Sequence, residues 1–164
     1  MTKGKLTFFC GKMGVGKSTK AMELEKEEGG VLISEDEWLS ALYPNKILSI
    51  NDYVEYSSLL KSQIKKLVQA ILTEGTNVIM DFPANTVTQR NWFRSVFTEI
   101  DAQHNLVFID LPNEVCLSQI EKRRREQPER AATDTPIMFE QITKYFVAPS
   151  LDEGFNITIV TGSI

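Results

Sequence analysis

The segment Gly11-Lys12-Met13-Gly14-Val15-Gly16-Lys17-Ser18 restricts the fold more than any other stretch of the chain. Its spacing, Gly-x-x-x-x-Gly-Lys-[Ser/Thr], needs a turn whose main-chain amides point inward, set between a strand and a helix. Both flanks fit. Leu6-Thr7-Phe8-Phe9-Cys10 is an apolar, β-prone run that ends at Gly11, and residues 18–28 read as a helix stopped by Gly29-Gly30. The helix start adds the positive end of its dipole, so the turn suits phosphate oxygens. Lys17 is then placed to meet β- and γ-phosphates, Ser18 to ligate magnesium and Thr19 to contact the α-phosphate. With Gly11, Lys12, Met13, Gly14, Val15 and Gly16, these residues form the expected binding set for ATP and Mg2+. The alternative is a glycine-rich turn with no ligand.

Further along, Val31-Leu32-Ile33-Ser34, Val78-Ile79-Met80-Asp81, Leu106-Val107-Phe108-Ile109-Asp110 and Ile157-Thr158-Ile159-Val160 read as four more strands. Glu35-Asp36-Glu37 reads as an acidic turn before a short helix over 38–43 that Pro44 halts. Asp52 with Glu55 resembles a capping box opening a long helix that ends at Gly75 and buries Tyr56, Leu60, Ile64, Leu67, Val68 and Ile71. Lys61, Lys65 and Lys66 on that helix read as a solvated face. Helices are also expected over 88–103, from a cap at Asn113 into Lys122-Arg123-Arg124-Arg125, and from Pro136 to about 147, with 126–134 as a polar loop. Strands alternating with helices imply right-handed crossovers and a parallel sheet covered on both faces. The 164 residues suit one such α/β domain.

Composition narrows the partners. A net charge of −4 argues against a dedicated nucleic-acid binder. No apolar run has the length to cross a bilayer, and the basic start Met1-Thr2-Lys3-Gly4-Lys5 leads into the glycine turn rather than a cleavage site. Cys10 and Cys116 lie in apolar stretches and read as reduced core thiols. A cytoplasmic protein without an obligate protein partner is the expectation. The lone histidine, His104, precedes a strand and reads as structural and exposed.

Acids at the carboxyl edge of a parallel sheet face its usual ligand side. Asp36, Asp81 and Asp110 each follow or end a strand, where an acid can hold magnesium, accept a proton from an attacking hydroxyl, or simply cap the next helix. Capping the next helix or merely solvating the loop is the favoured reading for Asp110. Arg123, Arg124, Arg125 and Arg130 form a cationic group that could balance charge in phosphoryl transfer, or complement the dipole of the helix they end.

On these residues the chain resembles the small P-loop kinases of the nucleoside-kinase type, and within them the AAA-type predicted kinases. That group is similar to polynucleotide 5′-kinase, chloramphenicol phosphotransferase and zeta toxin. The likeness spans most of the sequence: 11–18, Ser34-Glu35-Asp36, Val78-Ile79-Met80-Asp81, Ile109 to Leu117 with the arginines after it, Phe139-Glu140, Pro149 and Asp152-Glu153-Gly154-Phe155. It implies a five-stranded parallel sheet of order 2-3-1-4-5. Asp36 matches the acid that activates an acceptor hydroxyl, and Asp81 the strand-end acid near metal and acceptor. Arg90 matches an arginine near the acceptor. Residues 123–134, with Arg123, Arg124 and Arg130, match a lid closing over ATP, and Pro149 a loop beside the adenine. Two positions depart from the group: Leu39 stands where polynucleotide kinases carry an arginine, and Asp81-Phe82-Pro83-Ala84-Asn85-Thr86 replaces Asp-Ala-Thr-Asn. The first disfavours a nucleic-acid 5′-end as acceptor.

The expected activity is transfer of the ATP γ-phosphate to a hydroxyl of a small molecule. Lys17, Asp36, Asp81 and the lid arginines are the catalytic set, Ser18 and Asp81 the metal ligands, Asp36 and Arg90 the acceptor contacts. The alternatives are an NTPase and a nucleotide-sensing module without an acceptor.

Overall fold

Five consecutive buried residues make β1 (Leu6–Cys10) a strand covered on both faces, and it lies in the middle of the sheet. The computed structural model describes residues 2–131 and 133–161. β1 pairs in parallel with β3 (Val78–Pro83) on one side and β4 (His104–Ile109) on the other. β2 (Val31–Ser34) extends the sheet beyond β3, and β5 (Ile157–Val160) beyond β4. All four pairings are parallel and the order is 2-3-1-4-5, as the resemblance implied.

The helices are α1 (Lys17–Glu28), α2 (Glu35–Leu42), α3 (Ile50–Thr73), α4 (Val87–Thr98), α5 (Asn113–Glu126) and α6 (Pro136–Thr143). Alternation along β1 divides the core in two. Leu6, Phe8 and Cys10 face a cluster with Leu60, Ile64, Val68 and Leu72 of α3 and Phe93, Val96 and Phe97 of α4. Phe9 faces the other cluster, with Ala21 of α1, Cys116 and Ile120 of α5 and Phe139 of α6.

Local capping explains where element boundaries differ from expectation. Glu35-Asp36-Glu37 is the first turn of α2, because the Ser34 side chain accepts from the Glu37 amide and acids favour a helix N-terminus. Ser49, not Asp52, caps α3: its hydroxyl accepts from the Asp52 amide at 3.1 Å, while the Asp52 carboxylate reaches back to the Leu48 amide at 3.0 Å. The buried stripe of α3 is accordingly Ser57, Leu60, Ile64, Val68 and Leu72, and Leu67 is exposed. Lys61 is not purely solvated, since its ammonium lies 5.3 Å over the Trp92 ring. Pro112 is the cap of α5 and Asn113 its first residue. Thr135 caps α6 with Pro136 at its first turn, and α6 stops at Thr143.

His104 is half-buried rather than exposed. Its ring stacks on Phe97 at 3.9 Å, and its Nε2 accepts the Asn156 amide at 3.0 Å. Burial, with the nearby Arg94 charge, holds its pKa below 6.5. The folded chain therefore binds this proton less readily than the unfolded chain, and the associated stability is complete above pH 6.5 and lost as pH falls below it. Urea midpoints at pH 7.5 and 5.5 should separate more for the wild type than for His104→Phe, which keeps the stack but cannot titrate.

Candidate phosphate-binding and transfer site

The glycines of the loop between β1 and α1 answer to different constraints. Gly16 has φ +94°, and a Cβ there would meet nothing within 4 Å, so its side faces open space. Gly14 also has positive φ, but a Cβ there would lie 2.7 Å from the Cys116 carbonyl and 2.6 Å from Ile120, so it is glycine because α5 rests on the loop. Gly11 does not turn its amide toward a ligand as expected; that N–H donates to the Asn85 side chain at 2.9 Å. α1 starts with no side-chain cap and no acid in its first turn. Its first amides and positive dipole end are thus left for an anion. Lys17, half-buried, folds back to donate to the Gly11 carbonyl at 2.9 Å. Burial pulls its ammonium below the ordinary lysine value, while Cys10, Asp81 and Asp36 draw it back up.

The acids stand beside this loop. The Ser18 hydroxyl donates to Asp81 at 2.6 Å, which joins the start of α1 to β3 and sets two oxygen donors together. Burial pushes the Asp81 carboxyl above its ordinary value, against Ser18 and Lys17, which favour its ionised form. Asp36, on the first turn of α2, lines an open cleft of about 640 Å³ with Glu37, Ser40 and Ala41. Leu39 packs into the core instead of entering that cleft. The neighbouring Glu35 is buried and accepts from the hydroxyls of Tyr53 and Ser57, the latter at 2.7 Å, so it latches α2 to α3. Burial raises its pKa despite those bonds.

Arg90 requires a correction. It is wholly enclosed, so it has no surface to offer an acceptor. Its Nε donates to Glu153 at 2.8 Å, and its Nη1 to the carbonyls of Val147 at 2.8 Å and Ala84 at 3.0 Å. The apolar turn of α4 around Phe93 carries it inward, where a buried charge persists only with such partners. Beside it, Asn85 accepts from Gly11 through its side chain and from the Val147 amide through its carbonyl at 2.8 Å. Together they hold the segment 146–149, with half-buried Pro149, along the phosphate loop. Lys12 completes that edge, 5.6 Å over Phe146 and bonded to Asn113 at 2.8 Å. Met13 packs on the core below, and Thr19 is exposed.

The arginines in the last turn of α5 and just beyond it divide. Arg123 and Arg130 converge on the buried Asp134. Arg124 makes no ion pair with Asp134 but lines a cavity of about 430 Å³ with it, Glu114, Ser118 and Glu121, and Arg125 is exposed. The expected loop contains a further helical turn, Pro128–Arg130, after α5 runs to Glu126. Glu35 and Asp134 are the site-flanking acids that motif spacing passes over: both matter through partners distant in sequence or hidden in a polar stretch. Asp110 caps no helix, since α5 begins after Pro112; it is exposed in the loop, which fits the loop-solvating alternative.

Comparison with known proteins agrees with this fold. The family model of the AAA domain matches residues 6–149. No curated protein matches the sequence. Among solved structures, a candidate kinase from Chloroflexus aurantiacus J-10-fl is similar with a TM-score of 0.74 at 18% identity, covering 98% of this chain and 86% of that one. An APS kinase from Mycobacterium tuberculosis, solved with AMPPNP and APS, gives 0.65 at 20% identity over 98% and 90%. A sugar kinase from a Janibacter species, without ligand, gives 0.64 at 19% over 96% and 85%. At these identities the structural likeness concerns the fold, and the family match supplies the membership. The chain belongs to the AAA domain family and shares the fold of the kinases it resembles.

Proposed function

We propose that this protein transfers the γ-phosphate of ATP to a hydroxyl of a small molecule, with magnesium. The observation that carries the reading is the Ser18–Asp81 pair at 2.6 Å beside Lys17, with the exposed Asp36 near enough for its charge to act on both Lys17 and Asp81. Ser18 and Asp81 offer two oxygens, so phosphate oxygens and water would complete an octahedral magnesium shell. Lys17, released from the Gly11 carbonyl, would meet the β- and γ-phosphates, and the open side of Gly16 would receive them. Residues 146–149, Pro149 among them, would border the adenine.

Asp36 would orient the acceptor hydroxyl and take its proton as the oxygen attacks phosphorus. Arg123 and Arg130 would balance charge spreading over the equatorial oxygens, and closure of residues 123–134 would exclude water. Arg124, which shares a cavity with Asp134, belongs to the same lid. The acceptor is expected in the cleft of Asp36, where Leu39 leaves no arginine to grip a nucleic-acid end. The family match and the kinase-like folds support this reading. Neither a membrane nor an obligate protein partner enters it, and the cytoplasm is the proposed location. No helix among the described residues is long and apolar enough to cross a bilayer.

Lys17→Ala should abolish transfer and weaken ATP–magnesium binding strongly in calorimetric titration; unchanged affinity would remove the nucleotide site. An ATP-consumption screen over hydroxylated metabolites should reveal the acceptor. With it, Asp36→Asn should leave ATP affinity nearly intact and cut the rate by roughly 10²–10⁴, the range of a general base. Loss of ATP binding in that variant would instead assign Asp36 to the metal.

A further inference from the structure

Asp134 is 1% exposed, yet its carboxylate is ionised in a region of otherwise polar surface. Arg123 donates to it through Nε at 2.7 Å and Nη2 at 2.8 Å, and Arg130 through Nε at 2.9 Å. Burial alone would raise this carboxyl, but the two guanidinium groups outweigh it and hold the pKa below the ordinary value. The three groups leave a net charge of +1. Among the described residues, Nη1 of Arg123 and both terminal nitrogens of Arg130 donate to no protein acceptor, and both side chains remain about one third exposed. Each arginine thus spends one edge on Asp134 and keeps another for a ligand.

The backbone under Asp134 is firmly set. Its amide donates to the Arg130 carbonyl at 2.8 Å, and the next residue, Thr135, caps α6, whose Phe139 is buried in the core. A carboxylate seated this way holds two long, flexible side chains in one orientation before any ligand arrives, which removes an ordering cost that each would otherwise carry at binding.

We infer that Asp134 is a positioning residue that yokes Arg123 and Arg130 into a single preorganised receptor for the terminal phosphate. This rests on the reading of 123–134 as a lid over ATP. Without that reading, the same triad would only fasten α5 to the start of α6, and nucleotide affinity would be indifferent to it.

Calorimetric titration with AMPPNP–magnesium and with ADP–magnesium separates these roles, because their difference reports the terminal phosphate. Asp134→Asn should lower the preference for AMPPNP over ADP roughly tenfold, as expected for a weakened charged hydrogen bond, while ADP affinity stays near wild type. Arg123→Ala/Arg130→Ala should lose at least as much, and adding Asp134→Asn to that pair should cost nothing more. Arg123→Lys preserves the ion pair without the planar fork and should also lose preference, which tests orientation in a protein that keeps the buried pairing. A wild-type preference retained in folded Asp134→Asn or in Arg123→Lys would overturn the inference. So would an equal further loss when Asp134→Asn is added to the double arginine variant. Wild-type indifference to AMPPNP would instead sink the nucleotide reading, and an undiminished preference in the double arginine variant the lid reading; either takes this inference with it.

Discussion

A guanidinium group with no exposed surface, that of Arg90, is the contact on which the geometry of the site depends. Taking a cation out of water costs several kcal/mol, so Arg90 remains inside only because its partners are arranged around it. Those partners come from parts of the chain that share no local structure: Ala84 after β3, Val147 after α6, and Glu153 in the short helical turn Leu151–Glu153. Asn85 then passes the constraint to Gly11. The floor of the phosphate loop and the 146–149 segment are consequently fixed to one another through α4, and neither can shift without exposing or orphaning a buried charge.

A second latch works on the opposite flank. Glu35 sits one residue before Asp36 and is bound by Tyr53 and Ser57 of α3. Its carboxyl is neither exposed nor facing the cleft, so it differs in role from its neighbour despite the same chemistry. α2 therefore presents Asp36 from a helix whose first turn is anchored to a long, well-buried partner. The α2 flank and the flank of the phosphate loop are each braced by one buried polar group, and the sheet between them supplies the common reference.

What the sequence reveals here is governed by range. The phosphate loop, Pro136 at a helix start, and the strand alternation are local patterns, in which a residue's neighbours in sequence are its neighbours in space, and these were legible. The strand order was reached through resemblance rather than through periodicity. Ser49 and Asp52 show the limit of local reading: both are good capping residues, and only packing of Leu60 and Ile64 decides which register the helix takes. Arg90 and Asp134 lie beyond that limit. An arginine on a helix ordinarily points to water, and nothing in the residues beside Arg90 announces Glu153, 63 positions away. Asp134 sits in a stretch whose polarity reads as loop, and its burial follows from its contacts with Arg130 and with Arg123 of α5.

The contact between Gly14 and α5 has a mechanical consequence. A Cβ at Gly14 would strike the Cys116 carbonyl, so the helix is seated directly on the turn that would receive phosphate. Arg123 lies seven residues further along that helix, about 10 Å at 1.5 Å per residue. With the seat as fulcrum, a tilt of about 5° displaces Arg123 by about 1 Å, a distance comparable to that between a made and a broken hydrogen bond. Any tilt of α5 on that seat would therefore be carried to the arginines at its far end.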